Sequence, residues 1–452
     1  MSALPAPPEP SLTRFQQTLR FMKDPYGFLA QTRAECGEVF TLRPWGMGRW
    51  VFLCNAEVLG ELYKLPEDQV LAGEIRKRIV AYLFGSRASI SLDGAEYAQR
   101  RKIVMPFFGG RKVFQHTDLI HRLTEEKLLQ WPLGELVRLQ PYLNDIALES
   151  AGRILFGPLE QDPAAQLVPY AKQFLIALQP PAVQARPLQW NLGRFSAYGR
   201  FVIARDNLYR VLDGVVRTIE ERRASQAADE EPKDVLSALV AADLYDNPDE
   251  CREAIVHEMV AFIVGGAETT SKVLAWTLLG VLSNPKILDR LRHELDEVLG
   301  GQPIKTEHLR QLPYLHAVIQ EGMRFQSVGP FAGPRLAKKD ITIGGFTIAA
   351  GTPIAQCLQE VGRTNFFPNP EQFDPENFLG RKVRTNDWVP FGGGSRLCTG
   401  MGLAQLELAV VVGTLIQRLD LELGPGSTEP ARSGIAFQPA NELAVIVRGR
   451  RT

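Results

Sequence analysis

A glycine-rich loop that ends in a cysteine is the segment that most restricts the fold of this 452-residue chain. It reads FGGGSRLCTG and covers residues 391–400. Its three consecutive glycines allow backbone conformations and close approaches that side chains would forbid. An apolar helical run over residues 401–416 follows, so Cys398 lies where helix N–H groups and the helix dipole stabilise a thiolate. Such a thiolate can serve as a nucleophile, a redox thiol or a metal ligand, and a small buried apolar residue is the alternative.

A second segment places polar residues inside a long apolar helix. The pattern over residues 249–282 predicts a helix of roughly 50 Å, at ~1.5 Å per residue. Its middle reads AFIVGGAETTSK, in which Gly265 and Gly266 weaken the helix beside Glu268 and Thr269. This combination indicates a groove that can admit water or a small ligand. The alternative is a close helix crossing, with Thr269 bonded to the preceding turn.

A third candidate is the pair Glu321 and Arg324, which share one face of the helical run YLHAVIQEGMRF. That face is otherwise apolar, so we expect both charges to be buried, where each needs its partner. The spacing alone has little value, because other Glu-x-x-Arg pairs occur in the chain. The apolar helical context and the Gly/Pro-rich turn that follows distinguish this pair.

Most of the remaining chain has helical apolar spacing, and strand patterns are few. Further helices are expected at residues 24–35, 118–131, 143–155, 164–178, 195–223 and 284–299. Strands are expected at residues 38–42, 50–54, 341–343, 346–348 and 444–447, the first two as a hairpin. We expect the strands near residues 40, 345 and 445 to form one small sheet. Such a sheet would join both ends of the chain and favours one domain over the three that length alone suggests.

Composition and charge exclude several classes of protein. The chain has 51 Lys+Arg against 51 Asp+Glu, which gives no reason to expect a nucleic-acid binder. Its five cysteines contain no C-x-x-C pair, so neither a disulfide framework nor a zinc ribbon is indicated. The longest apolar runs, 273–282 and 408–416, are roughly half of what a membrane span needs. We therefore expect a soluble, cytoplasmic monomer without a membrane anchor, in which these two helices are buried all round.

Together and in this order, the three segments resemble the motifs of the cytochrome P450 family of heme-thiolate monooxygenases. FGGGSRLCTG matches the heme-binding signature F-x-x-G-x-R-x-C-x-G at every fixed position, and Glu321 with Arg324 matches E-x-x-R. GGAETT (265–270) is similar to the oxygen-activation motif, and DGAEYAQRRKIVMPFF (93–108) to the family's heme-contacting helix. The resemblance implies a mainly α fold with small β-sheets (α+β), as one cytochrome P450 domain over residues 1–452 with a flexible segment 1–14. Heme would lie between the long central helix and the helix that follows the cysteine loop.

The resemblance also implies roles for individual residues. Cys398 would be the axial thiolate ligand of the iron of heme b, iron protoporphyrin IX. The positions expected to contact the heme or its propionates are Tyr97, Arg101, Arg335, Phe391, Arg396 and Gly400. Arginines would donate charge-assisted hydrogen bonds to the propionates, whereas Tyr97 replaces a histidine of many bacterial members and offers one neutral bond. On the distal side, Thr269 would donate a hydrogen bond to bound dioxygen, and Glu268 would relay protons through water.

One scaffold position departs from the family pattern. In FDPENF (373–378), Asn377 stands where an arginine usually completes a triad with Glu321 and Arg324. A neutral amide can still bond the carboxylate, and we expect a weaker scaffold on the heme side.

The substrate pocket is placed by the resemblance alone, in part at residues 72–90 and 179–191. Individual pocket positions are Ala261, Val264, Val328, Phe331, Ala332, Ile435 and Phe437. These residues are aliphatic or aromatic, which indicates an apolar substrate such as a terpenoid, a steroid or a fatty acid.

The resemblance implies a separate electron donor, because no flavin reductase is fused to the heme domain. A ferredoxin or flavodoxin with its own reductase is expected to supply two electrons per turnover. Basic residues that can form an acidic partner's docking site are Arg100, Arg101, Lys102, Arg111, Lys112, Arg381, Lys382 and Arg384. Scattered solvated charges are the alternative to a docking site. The motifs are also compatible with a heme-binding protein without turnover, or with a peroxide-using or isomerising relative, although such relatives typically lack the acid–threonine pair.

Overall fold

The fold is described from a computed structural model, which describes residues 4–157, 167–225, 231–384 and 386–451. The chain forms two compact units, each built from two separate stretches. The first unit contains Met1–Gln99 and Met323–Cys398, and the second contains Arg100–Gly322 and Thr399–Thr452. The expected fold class, mainly helical with small sheets, is confirmed.

Helices make up most of the described residues. They are α1 (Arg14–Lys23), α2 (Pro25–Cys36), α3 (Ala56–Lys64), α4 (Gly73–Phe84), α5 (Gly94–Phe108), α6 (Thr117–Leu128), α7 (Gln140–Phe156), α8 (Leu167–Leu178), α9 (Pro181–Gln184), α10 (Ala197–Ser225), α11 (Val235–Ala241), α12 (Pro248–Leu282), α13 (Pro285–Leu299), α14 (Thr306–Leu309), α15 (Pro313–Phe325), α16 (Leu358–Gly362) and α17 (Met401–Arg418). The predicted helices are confirmed to within a few residues, except that the start predicted at residue 164 lies outside the described residues.

Strands are short. They are β1 (Val39–Leu42), β2 (Trp50–Leu53), β3 (Val70–Leu71), β4 (Leu136–Arg138), β5 (Ala332–Ala337), β6 (Ile341–Ile343), β7 (Phe346–Ile348), β8 (Pro353–Gln356), β9 (Leu419–Leu423), β10 (Pro430–Ser433), β11 (Ala436–Pro439) and β12 (Ala444–Arg450).

The start of the long helix α12 follows from local chemistry. Asn247 precedes it, and the Asn247 side-chain oxygen accepts hydrogen bonds from the backbone N–H groups of Asp249 and Glu250. Pro248 occupies the first helical position, where its missing N–H costs no hydrogen bond. The helix then continues for 35 residues, which confirms the predicted length.

Burial of the two apolar helices was predicted from their composition. In α17, the residues from Leu406 to Gln417 are all buried, so this helix is covered on every side, as predicted. Helix α12 is mostly buried as well, although part of one face is open to solvent. Among the residues that the structure describes, no helix is long and apolar enough to cross a membrane.

The first unit contains a five-stranded sheet in the order β1-β2-β8-β5-β3. Strands β1 and β2 form the predicted antiparallel hairpin, with Val39 opposite Leu53, and β8 lies parallel to β2. Alternate residues belong to two different core clusters: Val39 and Leu53 to one, Phe40 and Phe52 to the other. Both faces of the sheet are therefore covered, because successive side chains of a strand point to opposite faces.

The prediction that strands near residues 40, 345 and 445 share one sheet is wrong. Strands β6 and β7 form a two-stranded sheet with each other, around Gly344 and Gly345. Strand β12 belongs to a three-stranded sheet of the second unit, between β4 and β9, and β10 pairs with β11. Hydrophobic spacing identifies a strand, but its partner depends on distant segments that the local pattern does not specify.

Candidate active site

The cysteine loop is closed by its own backbone. The N–H of Cys398 donates to the carbonyl oxygen of Phe391 at 3.0 Å, and a 3-10 turn forms over Gly394–Arg396. Gly394 has a φ of +65°, which disfavours other residues. At Gly393 an added Cβ would lie 2.3 Å from the Tyr63 ring, so only glycine allows this ring to pack against the loop. These two glycines are therefore required for different reasons, one conformational and one steric.

Cys398 is the exposed cysteine of this loop, whereas Cys54, Cys251 and Cys357 are buried. Gly400 follows as the residue before α17, and its carbonyl accepts the first helical hydrogen bond from Ala404 at 2.9 Å. Cys398 thus precedes the N-terminus of α17 by three residues in the chain. Among the described residues, no group of three or more His, Cys, Asp or Glu could hold a metal ion. An exposed cysteine can serve as the protein ligand of a metal whose other ligands come from a cofactor.

Arg396 is fixed by acidic and aromatic neighbours within the first unit. Its Nη2 atom lies 2.7 Å from Asp93 Oδ1, and its Nε atom lies 3.9 Å from Glu67. The guanidinium carbon stands 3.5 Å from the centre of the Tyr97 ring, close enough for a cation–π contact. The Tyr97 hydroxyl donates to the carbonyl oxygen of Ser395 at 3.1 Å. Tyr97 therefore supports the loop as well as the arginine beside Cys398.

Two more arginines share this region of the first unit. Arg335, on β5, donates to the carbonyl oxygen of Gly333 at 2.9 Å and lines a small pocket together with Arg396. Burial, followed by the nearby charges of Arg335 and Arg396, lowers the pKa of Arg76 to about 9. Burial is also the main cause that lowers the pKa of Arg335 to about 10. A bound anion would therefore be stabilised here, because it offsets charges that burial and mutual repulsion disfavour.

The propionates of heme are anions of the kind that this arginine cluster favours, and Cys398 offers an exposed sulfur to a metal, so the residues of the first unit fit the cofactor. Sequence reasoning missed Arg76, which lies on α4. The run EIRKR offers three basic residues, and the local pattern does not indicate which of them turns inward.

In the second unit, Arg101 Nη1 donates to the hydroxyl oxygen of Thr399 at 3.2 Å, directly after the cysteine. Its neighbour Arg100 is buried and forms an ion pair with Glu258 of α12, at 3.4 Å between Nη1 and Oε2. Arg100 was predicted as part of a docking surface, but it is 2% exposed and cannot contribute to one. This correction follows from helix periodicity, since consecutive residues point in different directions.

The middle of α12 presents a partly open face. Gly265 is exposed, and Ala261, Gly266 and Thr269 are half-buried, at spacings of three to four residues that place them together. The helix is continuous here, and the Thr269 hydroxyl donates to the carbonyl oxygen of Gly265. An added Cβ at Gly266 would lie 3.3 Å from Ala151 of α7, so the close helix crossing is present as well. Both the crossing and the threonine bond to the preceding turn therefore occur beside the partly open face.

Glu268 has different surroundings from Thr269. Its side chain is 2% exposed, its Oε1 atom accepts a hydrogen bond from Gln179 at 2.7 Å, and Lys272 Nζ lies 3.5 Å from Oε2. Burial raises the pKa of the Glu268 carboxyl, and the charge of Lys272 opposes this shift. The structure therefore places the predicted acid inside a polar cluster, whereas Thr269 lies on the partly open face.

The predicted scaffold residues are buried. Glu321 and Arg324 lie on α15 with at most 2% exposure, as expected from their apolar face. Arg324 donates to the carbonyl oxygens of Gly362, Pro370 and Gln372, each at 2.8 Å. Asn377 is buried too, and its side-chain oxygen accepts from the Asn369 N–H at 3.4 Å. Arg324 thus fixes the backbone of the segment from residue 362 to 372.

The residues of the first unit that were predicted to line the substrate pocket differ in packing. Val328 and Ala332 are half-buried. Phe331 is half-buried as well, but its ring packs against the rings of Trp50 and Phe52, at centroid distances of 6.0 and 5.5 Å. Phe331 therefore packs against the core of the sheet.

Pocket positions of the second unit lie on two elements. Val264 of α12 is fully buried, whereas Ile435 in the turn between β10 and β11 is half-buried. The carbonyl oxygen of Phe437 accepts from the indole N–H of Trp276 at 2.9 Å, which fixes this hairpin to α12.

Comparisons with known proteins agree on one family. The family described as cytochrome P450 matches residues 5–442. "Putative cytochrome P450 138" of Mycobacterium tuberculosis is 28% identical over 463 residues, with 100% of this chain and 99% of that protein covered. "Putative cytochrome P450 135B1" of the same organism is 25% identical, with 100% and 93% covered. Among solved structures, "Retinoic acid bound cyanobacterial CYP120A1" has a TM-score of 0.81 at 24% identity, covers 99% of both chains and shows the fold.

The family match extends over nearly the whole chain and includes the cysteine loop. Cytochrome P450 proteins bind heme and are in general monooxygenases, which use dioxygen and a redox partner. The arrangement of Cys398 and the arginine cluster is consistent with that cofactor. This chain belongs to the cytochrome P450 family and is a heme-dependent oxidoreductase.

Proposed function

We propose that this chain is a heme b monooxygenase that hydroxylates an apolar small molecule with electrons from a ferredoxin-type protein. The observation that carries the proposal is the exposed Cys398 thiol, at the end of a closed glycine loop and just ahead of α17. We further propose that residues 1–452 act as one heme domain, as a monomer in the cytoplasm.

Named residues would hold the cofactor. Cys398 would bind the iron, and the guanidinium groups of Arg76, Arg335 and Arg396 would bind the propionates. Arg101 would be a further donor, as the family resemblance implies. When bound, heme supplies the redox chemistry that activates dioxygen, while the protein contributes binding, orientation and protons.

Two residues of α12 would handle protons and the oxygen ligand. The Thr269 hydroxyl lies on the partly open face, where it can turn from the Gly265 carbonyl and donate to a bound ligand. Glu268 would take up protons from water and release them towards that ligand. The two roles need different surroundings. A hydrogen-bond donor must reach the ligand, whereas the surroundings of a proton-transferring acid must set its pKa.

An apolar substrate is favoured by the residues that would contact it. Ala261, Val264, Val328, Ile435 and Phe437 carry no polar side-chain atom. Burying the apolar surface of a terpenoid, a steroid or a fatty acid against them would contribute about 25 cal/mol per Å².

Charge reversal at Arg111 and Lys112 tests the electron donor. Both side chains are exposed in the second unit. We expect Arg111→Glu/Lys112→Glu to slow reduction by an acidic ferredoxin at least tenfold at low salt, because charge steers the encounter. Stopped-flow reduction measures the rate, and the control is the adjacent exposed pair of α10, Arg222→Glu/Arg223→Glu. Equal rates in wild type and the first variant at low salt would exclude docking at these residues.

The absorption spectrum of the reduced protein with carbon monoxide tests the proposed function itself. Thiolate ligation gives a strongly red-shifted Soret band, so we expect this band in the wild type and not in Cys398→Ser. Cys36→Ser, at a half-buried cysteine on α2, is the matched control and should retain the band. A wild-type spectrum without the band, or its persistence in Cys398→Ser, would overturn the proposal. Dioxygen-dependent product formation from an apolar substrate panel then separates an oxygenase from a heme carrier.

A further inference from the structure

A buried polar cluster surrounds Glu268 in the second unit. Glu268 and Lys272 lie one turn apart on α12, with 2% and 0% of their surfaces exposed. Gln179 directly follows α8, and Ser433 ends β10. A lysine without solvent contact is rare, since the cost of burying its charge must be offset by a partner.

Gln179 connects the cluster to two other elements. Its Nε2 donates to Glu268 Oε1 at 2.7 Å and to the carbonyl oxygen of Leu175 at 2.9 Å. The Ser433 hydroxyl donates to Gln179 Oε1. Oε1 of Glu268 is therefore held by an amide whose own orientation is fixed at both ends.

Oε2 is bound differently. The Lys272 ammonium lies 3.5 Å from Oε2 and is the counter-charge of this oxygen. Lys272 also donates to the side-chain oxygen of Asn144 at 3.4 Å, and Glu442 acts on its charge from further away. An added Cβ at Gly434 would lie 2.5 Å from Oε2, so the β10–β11 turn covers this atom closely.

The charge of Lys272 favours the ionised form of the Glu268 carboxyl. Burial raises the pKa of Glu268 and lowers the pKa of Lys272, and each charge opposes the shift of the other. A buried carboxylate that loses its cation takes up a proton instead of remaining charged. Lys272 is therefore the group on which the ionised state of Glu268 depends.

We propose that Lys272 and Gln179 are positioning residues for Glu268: Lys272 pairs with Oε2 and keeps the carboxylate ionised, and Gln179 holds Oε1. The inference rests on the proposed function, in which Glu268 delivers protons to the oxygen ligand. A proton that Glu268 takes up is released again towards the ligand, so each transfer restores the carboxylate. Lys272 keeps its proton throughout.

The test uses the heme-loaded protein and the infrared spectrum. We expect Lys272→Met to show the C=O stretch of a protonated carboxyl that is absent from wild type and from Lys272→Arg. The band should disappear in the double variant Lys272→Met/Glu268→Gln, and this loss would assign the band to Glu268. The double variant also replaces both charges with neutral residues, so it can still fold if Lys272→Met alone folds poorly. Lys286→Met, at an exposed lysine of α13, is the control and should match wild type.

Dioxygen consumption driven by reduced ferredoxin gives a second readout. We expect at least a tenfold loss in Lys272→Met and Gln179→Leu, with a larger solvent deuterium isotope effect, and near wild-type values in Lys272→Arg. A Lys272→Met spectrum without the carboxyl band, with the carbon monoxide band intact, would overturn the inference and leave the proposed function standing. Wild-type consumption in Glu268→Gln would overturn the proton role of Glu268, and loss of the carbon monoxide band in wild type would overturn the proposed function.

Discussion

Replacing Glu258 by glutamine is expected to lower the free energy of unfolding by about 3–5 kcal/mol, because it leaves the buried charge of Arg100 without its counter-charge. The pair joins α5 to α12 with 2% and 0% side-chain exposure. Water cannot replace the lost carboxylate at such a site, so the full desolvation cost of the guanidinium remains. Chemical denaturation measures the change as a shift of the midpoint.

Two comparisons separate the ion pair from other causes. Glu74→Gln removes an exposed ion pair with Arg78 and should change the free energy of unfolding by about 0–1 kcal/mol. The double variant Arg100→Met/Glu258→Met should lower the free energy of unfolding by less than Glu258→Gln does, because apolar residues often replace a buried ion pair with little loss of stability. If Glu258→Gln lowers the free energy of unfolding by no more than Glu74→Gln does, the buried ion pair does not stabilise the protein as expected.

Glu407 should make the stability of the protein strongly dependent on pH. This residue of α17 is 3% exposed, and burial, opposed by the Ser150 hydroxyl that donates to its Oε1 at 2.7 Å, raises its pKa to about 8. Between the ordinary pKa of 4.5 and about 8, the folded protein binds one proton more than the unfolded chain. The contribution of Glu407 to stability therefore falls by about 1.4 kcal/mol for each pH unit of increase in this window.

Glu407→Gln removes this dependence, because the amide does not titrate and can still accept from Ser150. The variant and the wild type should be similarly stable near pH 4.5, whereas near pH 8 the variant should be more stable by a few kcal/mol. Denaturation at several pH values between these limits measures the difference. Glu422→Gln, at an exposed residue of β9, is the control. Parallel pH curves for Glu407→Gln and wild type would contradict the prediction.

Features that depend on neighbouring residues could be predicted from the sequence. The cysteine loop, the beginning of α13 at Pro285 and its end at Gly300, and the hairpin of β1 and β2 all depend on short-range backbone chemistry. The burial of Glu321 and Arg324 followed from the apolar face of α15. In each case a few adjacent residues determine the conformation.

The remaining features depend on residues that are distant in the chain. Sheet partners such as β12 with β4, the inward orientation of Arg76, and the contact of Gln179 with Glu268 join segments that no local pattern relates. Lys272 illustrates the limit. Its spacing from Glu268 is visible in the sequence, but the same spacing on an exposed helix contributes little. Only the packing around it shows that this lysine is buried.

The parallel pairing of β2 with β8 has a consequence for biosynthesis. Val51 pairs with Ile354, so the partner of an N-terminal strand leaves the ribosome only after roughly 300 further residues have been made. Strands β1 and β2 therefore remain an incomplete hairpin while the helices of the second unit emerge. During this time the edge of β2 exposes unpaired backbone groups, and the apolar side chains of both strands are uncovered. We expect folding of the first unit to be completed last and to be the stage at which nascent chains are most prone to aggregate.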